Sequence, residues 1–265
     1  MKNLLLSFFI LFTISCTNNQ TDKNLYRIET NFGDITIKLY NKTPLHRDNF
    51  EKLVTENFFE DILFHRVINN FMIQGGDPDS KNAKFGDFLG EADCGYNIPA
   101  EFNDSLFHKK GVIAAAREGD KINPKKESSG SQFYIVQGKV FTDNQLDSLE
   151  ISINKNIKES LYKKYFSIEE NKAFDKGEDI NYESIITIVK VKVKQDIDSI
   201  GKYKIPEFKR KYYRTIGGTP HLDGNYTVFG EIINGLEIVD KIASVKTDKN
   251  DRPIVDIKMK ITKIK

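Results

Sequence analysis

Apolar and polar residues alternate near both ends of the chain. Over residues 26–30 and again over 35–39, every second residue is apolar or β-branched, and a turn-forming stretch at 31–34 separates the two runs. This pattern predicts a β-hairpin with one buried face, because successive side chains of a strand point to opposite faces. The same alternation over 255–262 predicts a last strand.

Short apolar runs and two short helical patterns occupy much of the intervening chain. Glycine, asparagine and aspartate separate strand-like runs at residues 64–68, 71–74, 111–115, 132–136 and 228–233. Thr43 and Pro44 predict the start of a helix, as N-cap and first helical residue, and residues 236–243 form a second helical pattern. Many short strands with two helices predict a closed antiparallel barrel with helical lids.

One internal block, residues 139–214, departs from this rhythm and is rich in charge of both signs. Five of its apolar residues recur at helical spacing, namely Leu146, Leu149, Ile153, Ile157 and Leu161. Residues 185–194 are ambiguous, since their alternation favours a strand and their surroundings favour a helix. Pro206 predicts another helix, which runs to about Tyr213. We interpret the block as a mainly helical insertion in the barrel domain rather than as a second domain.

The N-terminus has the pattern of an export signal. A basic residue precedes an apolar run over 4–14, which is too short to cross a bilayer as a helix but has the size typical of a signal peptide. A small residue and then Cys16 follow, and this junction resembles the lipobox of bacterial lipoproteins. The resemblance implies a signal peptide over 1–15, lipidation of Cys16 and a tether over 16–25. The alternatives are a short membrane anchor or a buried helix.

Composition narrows the class of protein. The chain has 265 residues, with 40 Lys and Arg against 38 Asp and Glu and a formal net charge of +2. This balance gives no reason to expect a nucleic-acid partner, which usually requires a basic surface. Two cysteines exclude a disulfide scaffold and a four-cysteine zinc site.

Short motifs along the chain carry the chemical information. They read FHRV at 64–67, FMIQGGD at 71–77, GSQFYI at 130–135, LDG at 222–224 and VFG at 228–230. In this order and spacing they resemble the cyclophilin family of peptidyl-prolyl cis-trans isomerases, over about residues 26–138 and 215–265. The resemblance implies a mainly β fold, a closed eight-stranded antiparallel β-barrel capped by two helices. Residues 26–265 are then one cyclophilin-like domain, interrupted by the insertion.

The activity that this resemblance implies makes modest demands on a catalyst. The barrier of about 20 kcal/mol to prolyl isomerisation comes from amide resonance. An apolar socket for the proline ring, polar anchors for the flanking backbone and a donor that favours the twisted amide are sufficient. No nucleophile, metal or cofactor is required, and we expect none.

The resemblance also assigns these roles to particular residues. Arg66 is the expected donor, because its guanidinium stays charged and presents rigid N–H groups. Gln74 is expected to anchor the substrate and orient the arginine. The implied substrate-binding residues are Phe71, Met72, Ala116, Gln132, Tyr134, His221, Leu222 and Tyr226. For each apolar member of this set, ordinary core packing is the alternative.

Three positions depart from the usual family pattern. Arg117 replaces an asparagine, so only the role of its backbone carries over. His221 stands where many cyclophilins have tryptophan, a residue absent from this chain, and Tyr226 stands where they have histidine. The tryptophan position contributes strongly to cyclosporin binding in the family, so we expect weakened inhibition.

The remaining histidines are given structural interpretations. His65 adjoins Arg66 on a predicted strand, where its side chain points the opposite way. We therefore interpret His65 as a hydrogen-bonded core residue. His46 and His108 have no partners at ligand spacing, and we expect both at the surface.

Two functions remain open at this point. The first is an active isomerase that assists the folding of exported proteins, with Pro-containing polypeptides and unfolded exported proteins as partners. The second is a non-catalytic Pro-peptide-binding or chaperone module that uses the insertion. In both cases we expect a monomer with no nucleic-acid partner. Its N-terminal lipid would hold it on the periplasmic side of a bacterial membrane.

Overall fold

The computed structural model describes residues 24–177 and 181–264. The strands are β1 (Leu25–Thr30), β2 (Gly33–Leu39), β3 (Ile62–Leu63), β4 (Arg66–Ile68), β5 (Met72–Gly75), β6 (Asn97–Ile98), β7 (Val112–Ala115), β8 (Ser128–Ser129), β9 (Phe133–Val136), β10 (Val228–Asn234) and β11 (Lys258–Lys263). The helices are α1 (Pro44–Thr55), α2 (Asp143–Asp175), α3 (Tyr182–Ile200), α4 (Glu207–Thr215) and α5 (Leu236–Ala243).

Nine of these strands form one antiparallel sheet, in the order β3-β11-β1-β2-β10-β7-β9-β5-β4, and β6 pairs with β8 separately. The edge strands β3 and β4 are separated in sequence by only Phe64 and His65, so the sheet must curl until its two edges lie close together. The prediction of a mainly β fold is confirmed for the sheet and its flanking segments. In the described residues, however, a curled sheet of nine strands takes the place of the closed eight-stranded barrel.

Side chains of this sheet and of two helices form the main hydrophobic core. In the hairpin of β1 and β2, Ile28, Ile35 and Ile37 are completely buried, as the alternation predicts. Helices α1 and α5 contribute Phe50 and Val239 to the same cluster. Removal of this apolar surface from water is the main favourable contribution to folding.

Helix α1 begins at Pro44, as predicted, and buries one face against the core. His46 lies on this face and is buried, so the prediction that it is at the surface is wrong. Its Nδ1 lies 2.7 Å from a carboxylate oxygen of Glu101, and its Nε2 lies 2.9 Å from the hydroxyl of Ser128. The physical reason is helical spacing, because His46 stands one turn before the buried Phe50.

The internal block forms helices α2, α3 and α4, in addition to α1 and α5 outside it. The ambiguous residues 185–194 belong to α3, where Ile185, Val189 and Val193 follow at i, i+4 spacing and form a buried cluster with residues of α2. The helix predicted after Pro206 is confirmed as α4, with Pro206 at its N-cap.

The predicted signal peptide over 1–15 and the predicted lipidation site Cys16 lie outside the described residues. Strand β1 begins at Leu25, so the last residue of the predicted tether belongs to the sheet. Across the two described ranges, none of the helices has the length and apolar character needed to cross a membrane.

Candidate active site

A cleft on the surface of the sheet gathers most of the predicted site residues. It encloses about 450 Å³, including the part open to solvent, which lies in the range of small-ligand pockets. Its walls are formed by Arg66, Phe71, Met72, Gln74, Ala116, Arg117, Tyr134, Leu222 and Tyr226. The structure thus brings together eight of the ten site residues predicted in the sheet domain. The other two, Gln132 and His221, do not line this cleft.

Strand register explains why residues distant in sequence meet here. Arg66 of β4 pairs with Gln74 of β5, and Gln74 pairs with Tyr134 of β9. Directly paired residues of neighbouring strands lie on the same face of a sheet. The three side chains therefore form a row across β4, β5 and β9.

A directional chain of amide hydrogen bonds supports this row. The Nε2 group of Gln132 donates to the backbone carbonyls of Gly90 (3.0 Å) and Ala92 (2.7 Å). Its Oε1 then accepts from Nε2 of Gln74 at 2.9 Å. This leaves the amide oxygen of Gln74 facing Arg66, whose Nη1 lies 3.5 Å away. Gln132 therefore acts on the cleft indirectly, through Gln74. It fixes which end of the Gln74 amide faces Arg66.

Asp251 holds the other side of Arg66 and is a residue that sequence reasoning missed. Its Oδ2 lies 3.5 Å from Nε of Arg66, and its backbone carbonyl accepts from the N–H of Val67 at 2.8 Å. Asp251 adopts the left-handed conformation, with φ at 63°. It belongs to a turn about 185 positions after Arg66, and no local sequence signal connects the two.

The rest of the cleft is apolar and provides a socket. Met72, Tyr134 and Leu222 are buried members of one cluster, and Phe71 and Tyr226 pack against it while partly exposed. The rings of Tyr134 and Tyr226 meet edge to face, with centroids 5.9 Å apart. A charged donor therefore stands at the side of a preformed apolar wall.

The backbone groups of Arg117, unlike those of Ala116, are available to a ligand. The N–H of Ala116 donates to the carbonyl of Gln132 at 2.9 Å, and its carbonyl accepts from Ser129 at 2.8 Å. The backbone N–H and C=O of Arg117 have no hydrogen-bond partner among residues 24–177 and 181–264. Ala116 therefore contributes its side chain to the wall, while Arg117 offers a donor and an acceptor to a ligand.

His108 is completely buried beneath the cleft, so the prediction that it lies at the surface is wrong. Its Nδ1 lies 3.0 Å from Oδ1 of Asp223, and its Nε2 lies 3.0 Å from the hydroxyl of Tyr134. Burial, and to a smaller extent the neighbouring Tyr226 and Asp223, raise the pKa of Tyr134 well above its ordinary value. The phenol is therefore neutral at physiological pH.

His65 lies between β3 and β4 and is buried, as predicted, but its predicted hydrogen bonds are absent from the described residues. Within the described residues, neither ring nitrogen has a hydrogen-bond partner. Burial, followed by the positive charges of Arg66 and Arg252, lowers the pKa of His65 to about 4. The ring is thus a neutral packing element, held against the loop that contains Gly90.

Comparison with known proteins agrees with this arrangement. A family model described as cyclophilin type peptidyl-prolyl cis-trans isomerase/CLD matches residues 25–193 and 154–264. The chain belongs to this family. It is 30% identical over 231 residues to a relative from Staphylococcus aureus (strain USA300), covering 87% of this chain and 86% of the relative. A relative from Staphylococcus haemolyticus (strain JCSC1435) is 30% identical over 231 residues, covering 87% and 85%. Both relatives carry peptidyl-prolyl cis-trans isomerase in their names.

Solved structures share the fold of this cyclophilin. A crystal structure of a cyclophilin type peptidyl-prolyl cis-trans isomerase from Cryptosporidium parvum aligns with a TM-score of 0.53 at 20% identity, covering 91% of this chain and 98% of that chain. The structure of the same protein in the presence of the dipeptide Ala-Pro aligns with a TM-score of 0.52 at 19% identity, covering 91% and 99%. Membership of the family makes the chain a peptidyl-prolyl cis-trans isomerase.

Arg117 and Tyr226, two of the departures from the cyclophilin pattern, contact each other. The guanidinium of Arg117 lies 4.6 Å from the ring centroid of Tyr226, a cation–π geometry. Its Nε donates to the carbonyl of Asn225 at 2.6 Å, and its Nη2 lies 2.7 Å from Asp120. The side chain of Arg117, for which the sequence predicted no role, is therefore part of the wall and holds Tyr226 in place.

His221, which occupies the usual cyclophilin tryptophan position, stacks on Phe71 outside the walls of the cleft. The two ring centroids lie 5.6 Å apart, with an angle of 28° between the planes. Burial lowers the pKa of His221. Its contact supports Phe71, and the smaller imidazole leaves less aromatic surface at this rim than an indole.

Proposed function

We propose that this cyclophilin accelerates isomerisation of X-Pro bonds by stabilising the twisted amide with Arg66. The observation that carries the proposal is the row formed by Arg66, Gln74 and Tyr134 across paired strands, next to the apolar wall of Met72 and Leu222. A proline ring seated on this wall has its nitrogen at the side where the guanidinium lies.

The chemistry follows from the resonance of the amide. At the twisted state the prolyl nitrogen loses conjugation and becomes a better hydrogen-bond acceptor. A donor aimed at that nitrogen stabilises the transition state more than either planar isomer. A reduction of the barrier by roughly 6–8 kcal/mol moves the reaction from tens of seconds to milliseconds.

Substrate is anchored by groups on both sides of the socket. Arg117 offers its unpaired backbone N–H and C=O to the residues before proline. Gln74 faces the same cleft, where it also directs Arg66. Held at both ends, a bound peptide concentrates rotation at its X-Pro bond.

We also propose that the protein works outside the cytoplasm, attached through lipid on Cys16 to the periplasmic side of a bacterial membrane. The support is the N-terminal sequence pattern, an apolar run followed by a small residue and cysteine. Its substrates would then be unfolded exported proteins that contain proline.

The test is an isomerisation assay on a Pro-containing peptide with purified Arg66→Ala and Arg66→Lys. We expect Arg66→Ala to lower kcat/KM at least roughly tenfold, and Arg66→Lys to retain part of the activity, because lysine keeps the charge but not the fork of donors. Arg27→Ala is the matched control, since Arg27 is an exposed arginine paired with Asp34 at 3.8 Å. Equal rates for Arg66→Ala and wild type would contradict the role of Arg66.

A chaperone function of the internal helices is a second candidate, favoured by apolar residues exposed on them. Ile151 of α2 and Ile188 and Val191 of α3 are exposed by 72%, 42% and 52%. The double variant Ile188→Ser/Val191→Ser separates the two functions. Loss of protection against aggregation of an unfolded protein, with unchanged peptide isomerisation, would support this function; unchanged protection would argue against it.

A further inference from the structure

A buried hydrogen-bond chain runs from helix α4 to the cleft. The hydroxyl of Tyr213 donates to Oδ2 of Asp223 at 2.7 Å. Oδ1 of Asp223 accepts from the backbone N–H of His108 at 2.9 Å and lies 3.0 Å from its Nδ1. The Nε2 of His108 lies 3.0 Å from the hydroxyl of Tyr134. All four side chains are almost completely buried.

Charge balance fixes the direction of these bonds. Nζ of Lys209, on α4, lies 3.4 Å from Oδ2 of Asp223, and both side chains are buried. The ammonium of Lys209 already neutralises the carboxylate of Asp223. The buried group therefore has no net charge when the His108 ring is neutral. Because the carboxylate can only accept, Nδ1 of His108 carries the proton and Nε2 accepts from the hydroxyl of Tyr134. Burial alone would raise the pKa of Asp223, but His108 and Lys209 outweigh it and lower that pKa.

Helix α4 is itself fixed to the rest of the internal block. Arg210 of α4 donates to Glu150 of α2 at 2.9 Å and lies 2.8 Å from both Asp143 and Asp147. Tyr213 packs in a buried cluster with Leu146 of α2 and with Phe107, the neighbour of His108, among others. The hydroxyl of Tyr213 thus connects the internal block to the buried residues Asp223 and His108 beneath the cleft.

Gly218 permits the close approach that this chain needs. A Cβ atom at this position would lie 2.2 Å from the carbonyl oxygen of His108 and 2.8 Å from the ring of Tyr213. Any larger residue would separate α4 from the segment that carries His108. The close contact between α4 and this segment therefore depends on the glycine at position 218.

We propose that helix α4 positions the floor of the isomerase cleft through Tyr213, Asp223 and His108, which act as positioning residues for Tyr134. The proposal rests on the proposed function of the cleft. With its hydroxyl bonded to His108, the phenol of Tyr134 points below the floor and presents only its ring to proline. Asp223 also directly follows Leu222, a second residue of the cleft wall.

The experiment is a double-mutant cycle in the full chain, read as kcat/KM on a Pro-containing peptide and as the Kd of that peptide by NMR titration. Tyr213→Phe removes only the hydroxyl, and we expect it to lower kcat/KM roughly threefold to tenfold. Tyr212→Phe is the matched control, because Tyr212 is the neighbouring residue of α4 and is 40% exposed. We expect its kcat/KM to stay within about twofold of wild type.

The cycle distinguishes positioning from a merely structural role. In the Tyr134→Phe background no hydroxyl requires His108, so the further change Tyr213→Phe should then have less than about a twofold effect. An equal loss in both backgrounds would overturn the proposal. If wild type binds the peptide but does not turn it over, the proposed function fails and the same cycle is read on Kd.

A second measurement needs no variant and does not depend on activity. The ¹⁵N chemical shifts of the His108 ring report which nitrogen is protonated. We expect a proton on Nδ1 and none on Nε2. A ring protonated at Nε2 would overturn the proposal even if the isomerase activity is as expected.

Discussion

Nη1 of Arg66 lies 3.5 Å from the amide oxygen of Gln74, directly across the pairing of β4 and β5. This distance is at the long end for a hydrogen bond. Gln74 therefore directs the guanidinium without holding it closely, and Arg66 can turn its N–H groups to a substrate. The half-exposed position of Arg66 agrees with this freedom.

Gln132→Leu should impair catalysis although Gln132 does not line the cleft. Its loss releases Gln74, whose amide can then reverse and turn its NH₂ group toward Arg66. We expect kcat/KM to fall roughly tenfold, the equivalent of about one hydrogen bond. Gln137→Leu removes another buried glutamine, one bonded to Asn70 and Asp240, and should leave kcat/KM close to wild type. Similar losses in both variants would contradict the directional role.

His221→Trp should strengthen inhibition by cyclosporin. The imidazole of His221 stacks on Phe71, and an indole at this position would extend aromatic surface toward the cleft. We expect the inhibition constant to fall at least roughly tenfold, with kcat/KM for a short peptide nearly unchanged. A wild-type protein that is already inhibited as strongly as the variant would show that this position does not control the inhibitor.

The stability of the fold should decrease as the pH falls through the range in which His65 differs between folded and unfolded states. The pKa of His65 is about 4 in the folded chain, against an ordinary value of 6.5. Between these values the unfolded chain binds a proton that the folded chain does not, so protonation favours unfolding. The contribution is complete above pH 6.5 and is lost by about pH 4, and it amounts to about 3 kcal/mol.

Denaturant unfolding of wild type and His65→Leu across this pH range measures the effect. Leucine stays neutral, so the variant should lose less stability than wild type between pH 7.5 and pH 4. His46, whose pKa is also lowered, chiefly by burial, adds a slope that both proteins share. If the free energy of unfolding falls equally with pH in both proteins, His65 does not contribute to the pH dependence of stability.

Cys16→Ala should release the protein from membranes if the N-terminal pattern is a lipidation signal. We expect wild type to fractionate with membranes and to carry the mass of acyl chains, since two or more chains give stable anchoring. The variant should be soluble after cell disruption and should keep its isomerase activity. Retention of Cys16→Ala on membranes would rule out a lipid anchor at this residue.

The resemblance of short motifs to the cyclophilin family selected Arg66, Gln74 and Tyr134, and strand pairing places the three residues in one row. The network around them could not be predicted. Asp251 and Asp223 reach their partners only through the tertiary fold, and the burial of His108 depends on a helix from another part of the chain. The two-residue strands β3, β6 and β8 are too short to show any period, so the strand count was wrong.

The position of β11 has a consequence for the order of events during synthesis. β11 pairs with β1 on one side and with β3 on the other, so two of the earliest strands have no neighbour there until the last described strand arrives. A nascent chain therefore exposes unpaired strand edges during most of its translation. This isomerase would itself be among the chains that need protection from edge-to-edge aggregation until their synthesis is complete.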